Sequence, residues 1–295
     1  EEAGENLVGG GYNVAIGSDA LKTATAAAYT IAIGKNAMSS GLITANQAIG
    51  IGYNALANAT SSDETVAIGG YSGDAITTAN YNTFVGYNSA SQLTTSPNNT
   101  AIGHSAMLGH ATQDTTSEKN VAIGMNAMYV ASGANYNVAI GEGALSGAAT
   151  GMVGDNNVAV GRQAAASVTT GLSNVFVGAG AGFGATTAQK NVVIGHNAAY
   201  ALGTHNGSTI IGYEAGRLLD AGSGGSVAIG HQALYSGTQN YQDTAIGINA
   251  GRKATGGSAN NVYIGSAAGP SVAGAVSNQL YIHNVEGTPL IGGDF

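Results

Sequence analysis

Six histidines, sixteen acidic residues and no cysteine supply most of the reactive side chains of this 295-residue chain. His104, His196 and His231 each directly follow a glycine that closes the same short motif. In a stack of parallel strands about 4.8 Å apart, histidines two units apart lie about 10 Å from each other. That is too far to share a metal at ligand distances near 2.1 Å. The same column holds Ser18, Lys35, Tyr53, Gly70, Met125, Glu142 and Arg162, a freedom that points to solvent. Carboxylates are sparse: Asp63 adjoins Glu64, and Asp114 lies near Glu118. Glycoside hydrolysis needs two acids about 5 to 9 Å apart across a cleft. No Ser-His-Asp arrangement, phosphate loop or calcium-binding Gly-Gly-x-Gly-x-Asp repeat is present. Without Cys, disulfides and thiolate metal sites are excluded. The expectation is a non-enzyme with no cofactor and no metal; a carbohydrate-degrading enzyme is the third alternative.

Residues suited to contact gather in two places. The motif spacing lengthens between Met107 and Lys119 and between Leu145 and Asn156, and extra residues in repeat proteins emerge as loops on one face. His110, Gln113, Asp114, Glu118 and Lys119 in the first stretch, with Met152 and Asp155 in the second, are the candidate receptor-contacting residues. Tyr53, Tyr71, Tyr87, Tyr129, Tyr136, Tyr200, Tyr213, Tyr235 and Tyr241 are candidates for stacking on carbohydrate.

The elements that must position these residues are repeats. The motif Asn13-Val14-Ala15-Ile16-Gly17 returns fifteen times, and of the fourteen intervals between its glycines nine are 17 residues, three are 18 and two are 21 and 20. Such a period is too short for helical repeats or propeller blades and suits one turn of a β-solenoid with two strands of about five residues. Fifteen turns at about 4.8 Å extend about 70 Å. The expected organisation is a lead-in at 1–12, a β-roll at 13–277 and a cap or transition segment at 278–295. Composition agrees: 48 Gly and only 8% charged residues fit no ordinary enzyme. Three Pro exclude collagen, and a net charge of −8 with abundant β-branched residues disfavours disorder. The acidic balance argues against nucleic acid or an anionic bilayer as partner. No apolar run is long enough to span a membrane, so no membrane insertion is expected in this segment. The start at Glu1 implies a processed product or part of something longer.

Three residues before each repeat Gly stands a β-branched residue, and directly before it Ile or Val. The column between faces the other way and is Ala in nine copies: Ala15, Ala32, Ala67, Ala101, Ala122, Ala139, Ala159, Ala228 and Ala245. Both faces are thus apolar, although a single roll has only one interior. The second face requires another copy of the chain, and small Ala side chains suit close approach, so this Ala column is the expected seam of a homo-oligomer; three chains is the expected number, although periodicity alone does not separate three from two. Ala or Ser three residues after the Gly marks a tight inward corner. Asn in nine copies before the β-branched residue is expected to form a ladder of amide hydrogen bonds.

The unit Asn-Val-Ala-Ile-Gly-x-x-Ala over about residues 7–270 resembles the head repeat of trimeric autotransporter adhesins, the YadA-like family. That resemblance implies a left-handed parallel β-roll, a homotrimeric fibre, and binding to host surfaces. The segment Asn278-Gln279-Leu280-Tyr281-Ile282-His283-Asn284, continuing through Thr288 to Phe295, resembles the stretch C-terminal to such repeats in bacteriophage tail fibres. The expected function is therefore attachment of a phage tail fibre to a host cell-surface glycan or protein. The alternative is a bacterial surface adhesin head or fibre subunit. Either location is extracellular.

Overall fold

The computed structural model describes residues 2–40, 44–110, 116–147, 151–220, 224–237, 241–255, 257–270, 273–283 and 291–294. It is all-β, each motif copy contributes one three-residue strand, and the chain forms two compact units, Glu1–Val153 and Gly154–Phe295. In the first, β1 (Val14–Ile16), β2 (Ile31–Ile33), β3 (Ile49–Ile51), β4 (Val66–Ile68), β5 (Thr83–Val85), β6 (Thr100–Ile102), β7 (Val121–Ile123) and β8 (Val138–Ile140) pair in succession. All these pairings are parallel, with equivalent motif positions opposite each other. In the second, β9 (Val158–Val160), β10 (Val175–Val177), β11 (Val192–Ile194), β12 (Thr209–Ile211), β13 (Val227–Ile229), β14 (Thr244–Ile246), β15 (Val262–Ile264) and β16 (Gln279–Ile282) do the same. β17 (Ile291–Asp294) then returns antiparallel on β16. Each unit is a parallel β-solenoid with about 17 residues per turn.

The strands are shorter than the expected five residues, because the repeat Gly ends each one. Its φ lies between 115° and 139° at all fifteen positions, a region that side chains rarely adopt. A Cβ at Gly124 would also lie 2.8 Å from the Gly141 carbonyl carbon one turn on. A side chain here would push successive turns apart. The corner continues through left-handed residues, six of them Asn at φ 50–58°: Asn36, Asn54, Asn88, Asn126, Asn197 and Asn249. The expected second strand is reduced to isolated bridges such as Ala28 with Asn46 and Tyr241 with Ala259. Single backbone hydrogen bonds join successive turns along that side, for instance from Thr60 N–H to the Thr77 carbonyl at 2.8 Å.

The faces of the strand are the reverse of the expectation from Ala size. The middle column points into the roll: Ala32, Ala67, Ala101, Ala122, Ala139, Ala159, Ala228 and Ala245 are fully buried within one chain, and Ala15 in the first turn is half-buried. The eight fully buried residues cannot form a seam between chains. The flanking columns point outward, and Ile16, Ile68, Ile102, Ile140, Ile194, Ile246 and Ile264 are 37–57% exposed.

Ala occupies the middle because the roll is thin and shares its interior with the corner. The corner Ala or Ser is buried in every turn, as expected, and the next residue fills the remaining volume. Where the middle residue is Ala or Gly, that filler is Leu21, Met38, Leu56, Met107, Met128, Leu145 or Leu234 in seven turns, each fully buried. Where the middle residue is Phe84, Phe176 or Tyr263, a filler position against the ring is glycine: Gly73, Gly182 and Gly251, respectively. A Cβ on Gly73 would meet Phe84 Cδ2 at 2.9 Å, and one on Gly251 would meet Tyr263 Cδ2 at 2.7 Å. Each ring is thus matched by a glycine, in its own turn at Phe176 and one turn earlier at Phe84 and Tyr263, so the shared interior stays filled.

The Asn ladder forms. Asn174 N–H and Nδ2 both donate to Asn157 Oδ1, at 3.1 and 2.9 Å, and Nδ2 also donates to the Ala188 carbonyl at 2.7 Å. Asn191 repeats the pattern on Asn174 and on the His205 carbonyl. In unit 1, Asn99, Asn120 and Asn137 hand it on in the same way. These amides are buried and nearly saturated, so their role is to order the strand approach.

Candidate functional site

The corner directly after each strand carries the exposed, variable side chains, and consecutive turns set equivalent residues in ladders. One ladder occupies the position after the repeat Gly: His196 stacks on Tyr213 and Tyr213 on His231, with ring centres 5.4 and 5.2 Å apart. In unit 1, Tyr87 stacks on His104 in this column with ring centres 5.7 Å apart, while Tyr71, two residues after its glycine, meets Tyr53 and Tyr87 edge-on. A second ladder in unit 2 lies five residues after the Gly. Phe183 stacks on Tyr200 at 4.9 Å, Arg217 lies between Tyr200 and Tyr235 at 5.5 and 5.8 Å, and Arg252 lies 5.5 Å over Tyr235. The histidine column is therefore at the surface, as its variability suggests. The aromatic faces of Tyr200, Tyr213 and Tyr235 are taken up by neighbours on both sides. These rings offer edges and hydroxyls to a ligand, and their faces are closed to sugar stacking.

Between the two ladders lies a dent of about 230 Å³, lined by Arg162, Gln163, Ala179, Gly180, His196, Asn197, Tyr200 and Arg217. Sequence explains it. The turn at Gly178 has only Ala179 and Gly180 after its glycine, whereas the turns before and after place Arg162-Gln163 and His196-Asn197 there. Two missing side chains leave the depression, and every long residue around it carries a hydrogen-bond donor. Arg217 Nε lies 3.4 Å from Glu214 Oε1, and Glu214 accepts in turn from Gln232 Nε2 at 2.8 Å. Arg162 is exposed and has no ion pair among the described residues.

The structure separates the loop residues singled out from sequence. Gln113 and Asp114 lie outside the described residues. Lys119 is exposed and donates to the Tyr136 hydroxyl at 3.0 Å, with Nζ 4.9 Å from that ring's centre. That hydroxyl bond holds the ammonium pKa above its ordinary value. Glu118 lies 3.8 Å from Lys119 Nζ and is partly exposed; His110 and Asp155 are also partly exposed. Met152 is a correction: it is fully buried and bridges Ala131, with its N–H donating to the Val130 carbonyl at 2.8 Å. Its thioether completes the core, so it cannot touch a receptor.

Two carboxyl groups stand out. Burial raises Asp74 and Asp243 each to about 6, and no second carboxylate contributes to either shift. Asp63, beside Glu64, accepts from Asn46 N–H at 2.7 Å and so fixes backbone. Among the described residues no three His, Asp or Glu side chains are grouped to hold a metal, and no helix is long and apolar enough to cross a membrane. No family model, curated protein or solved structure matches the chain. The dent and its small-residue floor went unrecognised in the sequence; their signal was Ala179-Gly180 between two turns bearing long polar residues.

Proposed function

We propose that this protein is a structural attachment protein that assembles as a homotrimer of left-handed β-rolls through the outward Val, Ile and Thr columns. The observation that carries the reading is the apolar face itself. Sixteen side chains form such a face in unit 1 and fourteen form one in unit 2; none is charged, and nine of the thirty, five in unit 1 and four in unit 2, are more than a third exposed in the single chain. Soluble monomers rarely expose contiguous apolar patches above a few hundred Å². A second copy is the occupant because it repeats the same columns at the same strand spacing, so β-branched residues meet turn for turn under cyclic symmetry.

In this reading the protein acts outside the cell as a bacteriophage tail fibre segment contacting a host cell-surface glycan or protein, with no catalysis and no cofactor. The tail-fibre form rests on the likeness of the segment after the last repeat, where β16 leaves the Gly-closed pattern and β17 reverses direction. A bacterial trimeric adhesin head is the second reading, favoured by the repeat motif. Attachment is tested by incubating fluorescently labelled protein with a panel of bacterial and animal cells. Saturable binding to a cell surface is expected; absence of binding to every surface by correctly assembled protein would overturn the reading.

A further inference from the structure

The chain distributes its charge unevenly. Unit 1 carries ten acidic and three basic residues, whereas unit 2 carries six and five, including all three arginines. In an acidic protein this near-neutral unit keeps its guanidinium groups on one run of corners, at Arg162, Arg217 and Arg252. Two of the three border the dent above Ala179 and Gly180.

We propose that this dent binds the carboxylate of an acidic saccharide. Arg162 supplies the fork that matches a carboxylate geometrically, and it has no competing ion pair among the described residues. Arg217 is held in place by Tyr200, Tyr235 and Glu214. It adds a second, partly neutralised cation whose position costs little to fix. The Gln163 and Asn197 amides, the Tyr200 hydroxyl and the His196 ring provide donors for sugar oxygens. A volume of about 230 Å³ is below that of a drug-sized pocket and suits one sugar unit of a longer chain. Because the aromatic faces are occupied by their neighbours, recognition works through charge and hydrogen bonds, and binding weakens as salt is added. The choice of a saccharide over other carboxylates rests on the attachment reading.

The test is calorimetric titration of the assembled protein with oligogalacturonate and with oligosialic acid, using a neutral malto-oligosaccharide as control. An acidic probe is expected to bind and the neutral one not. Ala179→Met fills the dent with a residue that the same column already carries at Met125. Arg162→Gln removes the cation from an exposed position. Each should weaken binding at least 10-fold while melting temperature and assembly mass stay those of the parent. Equal binding of the neutral probe, no binding of either acidic probe, or parental affinity in both variants would overturn the proposal. Cell attachment measured in parallel separates the two ideas: a parent that attaches while the dent binds nothing leaves attachment standing without this site.

Discussion

Asp243 occupies a position where nine other turns have Asn, and replacing it by Asn should stabilise the protein in a pH-dependent way. Its Oδ1 accepts from Asn261 N–H at 2.8 Å and Nδ2 at 2.9 Å, as an Asn would, but Oδ2 is buried without a partner. In the neighbouring ladder the corresponding atom is an amide nitrogen that donates to a backbone carbonyl 14 or 15 residues on. A carboxylate oxygen has no proton to donate there. Burial accordingly raises the pKa from 3.8 to about 6. The folded state therefore binds the proton more tightly than the unfolded chain. The penalty is absent below about 4, grows between about 4 and 6, and is complete above 6. Two pKa units correspond to about 3 kcal/mol as an upper bound. Asp243→Asn should therefore gain roughly 1–3 kcal/mol at pH 8 and under about 1 kcal/mol at pH 4. Urea unfolding of parent and variant at both pH values measures the difference; Asp74 contributes to both and cancels. A variant that is less stable at pH 8, or equally favoured at both pH values, would refute the account of this buried carboxyl.

The same packing sets the cost of other substitutions. Phe176→Ala should cost about 3–5 kcal/mol by leaving a cavity in the roll. Adding Gly182→Leu to it recreates the Ala-with-Leu pairing of other turns and should recover part of that loss, a coupling that a double-mutant cycle in urea measures. Asn174→Ala should cost about 1–3 kcal/mol in the same urea assay, because the Ala188 carbonyl loses its donor and Asn157 Oδ1 loses the amide side chain above it. Ala122→Asp should abolish cooperative folding in circular dichroism melts, since a carboxylate would enter the roll's interior.

The repeat Gly, the inward corner, the Asn ladder and the parallel stacking were all legible from residue columns, because each imposes one residue type at one spacing. What periodicity did not decide was which face of the strand looks inward. Alternation separates two faces without naming them, and the small size of Ala suggested close approach between chains. The deciding signal lay elsewhere in the repeat: Phe84, Phe176 and Tyr263 break the Ala column, and glycine breaks the filler column in the same turn at Gly182 and one turn earlier at Gly73 and Gly251. Two columns that exchange volume share one interior. Met152 was misread for a related reason, since residues in a lengthened interval can fold back onto the core. The dent was hidden because it consists of side chains that are missing.

The most direct measurement is the solution mass of the parent beside a variant with Ile102→Glu and Ile140→Glu, both on the outward face of unit 1. Light scattering should give three times the 28.9 kDa chain mass for the parent. It should give a single folded chain for the variant, with β-structure retained in circular dichroism. A monomeric parent, or a variant that keeps the trimer mass, would contradict the assignment of the outward Val, Ile and Thr columns as the seam.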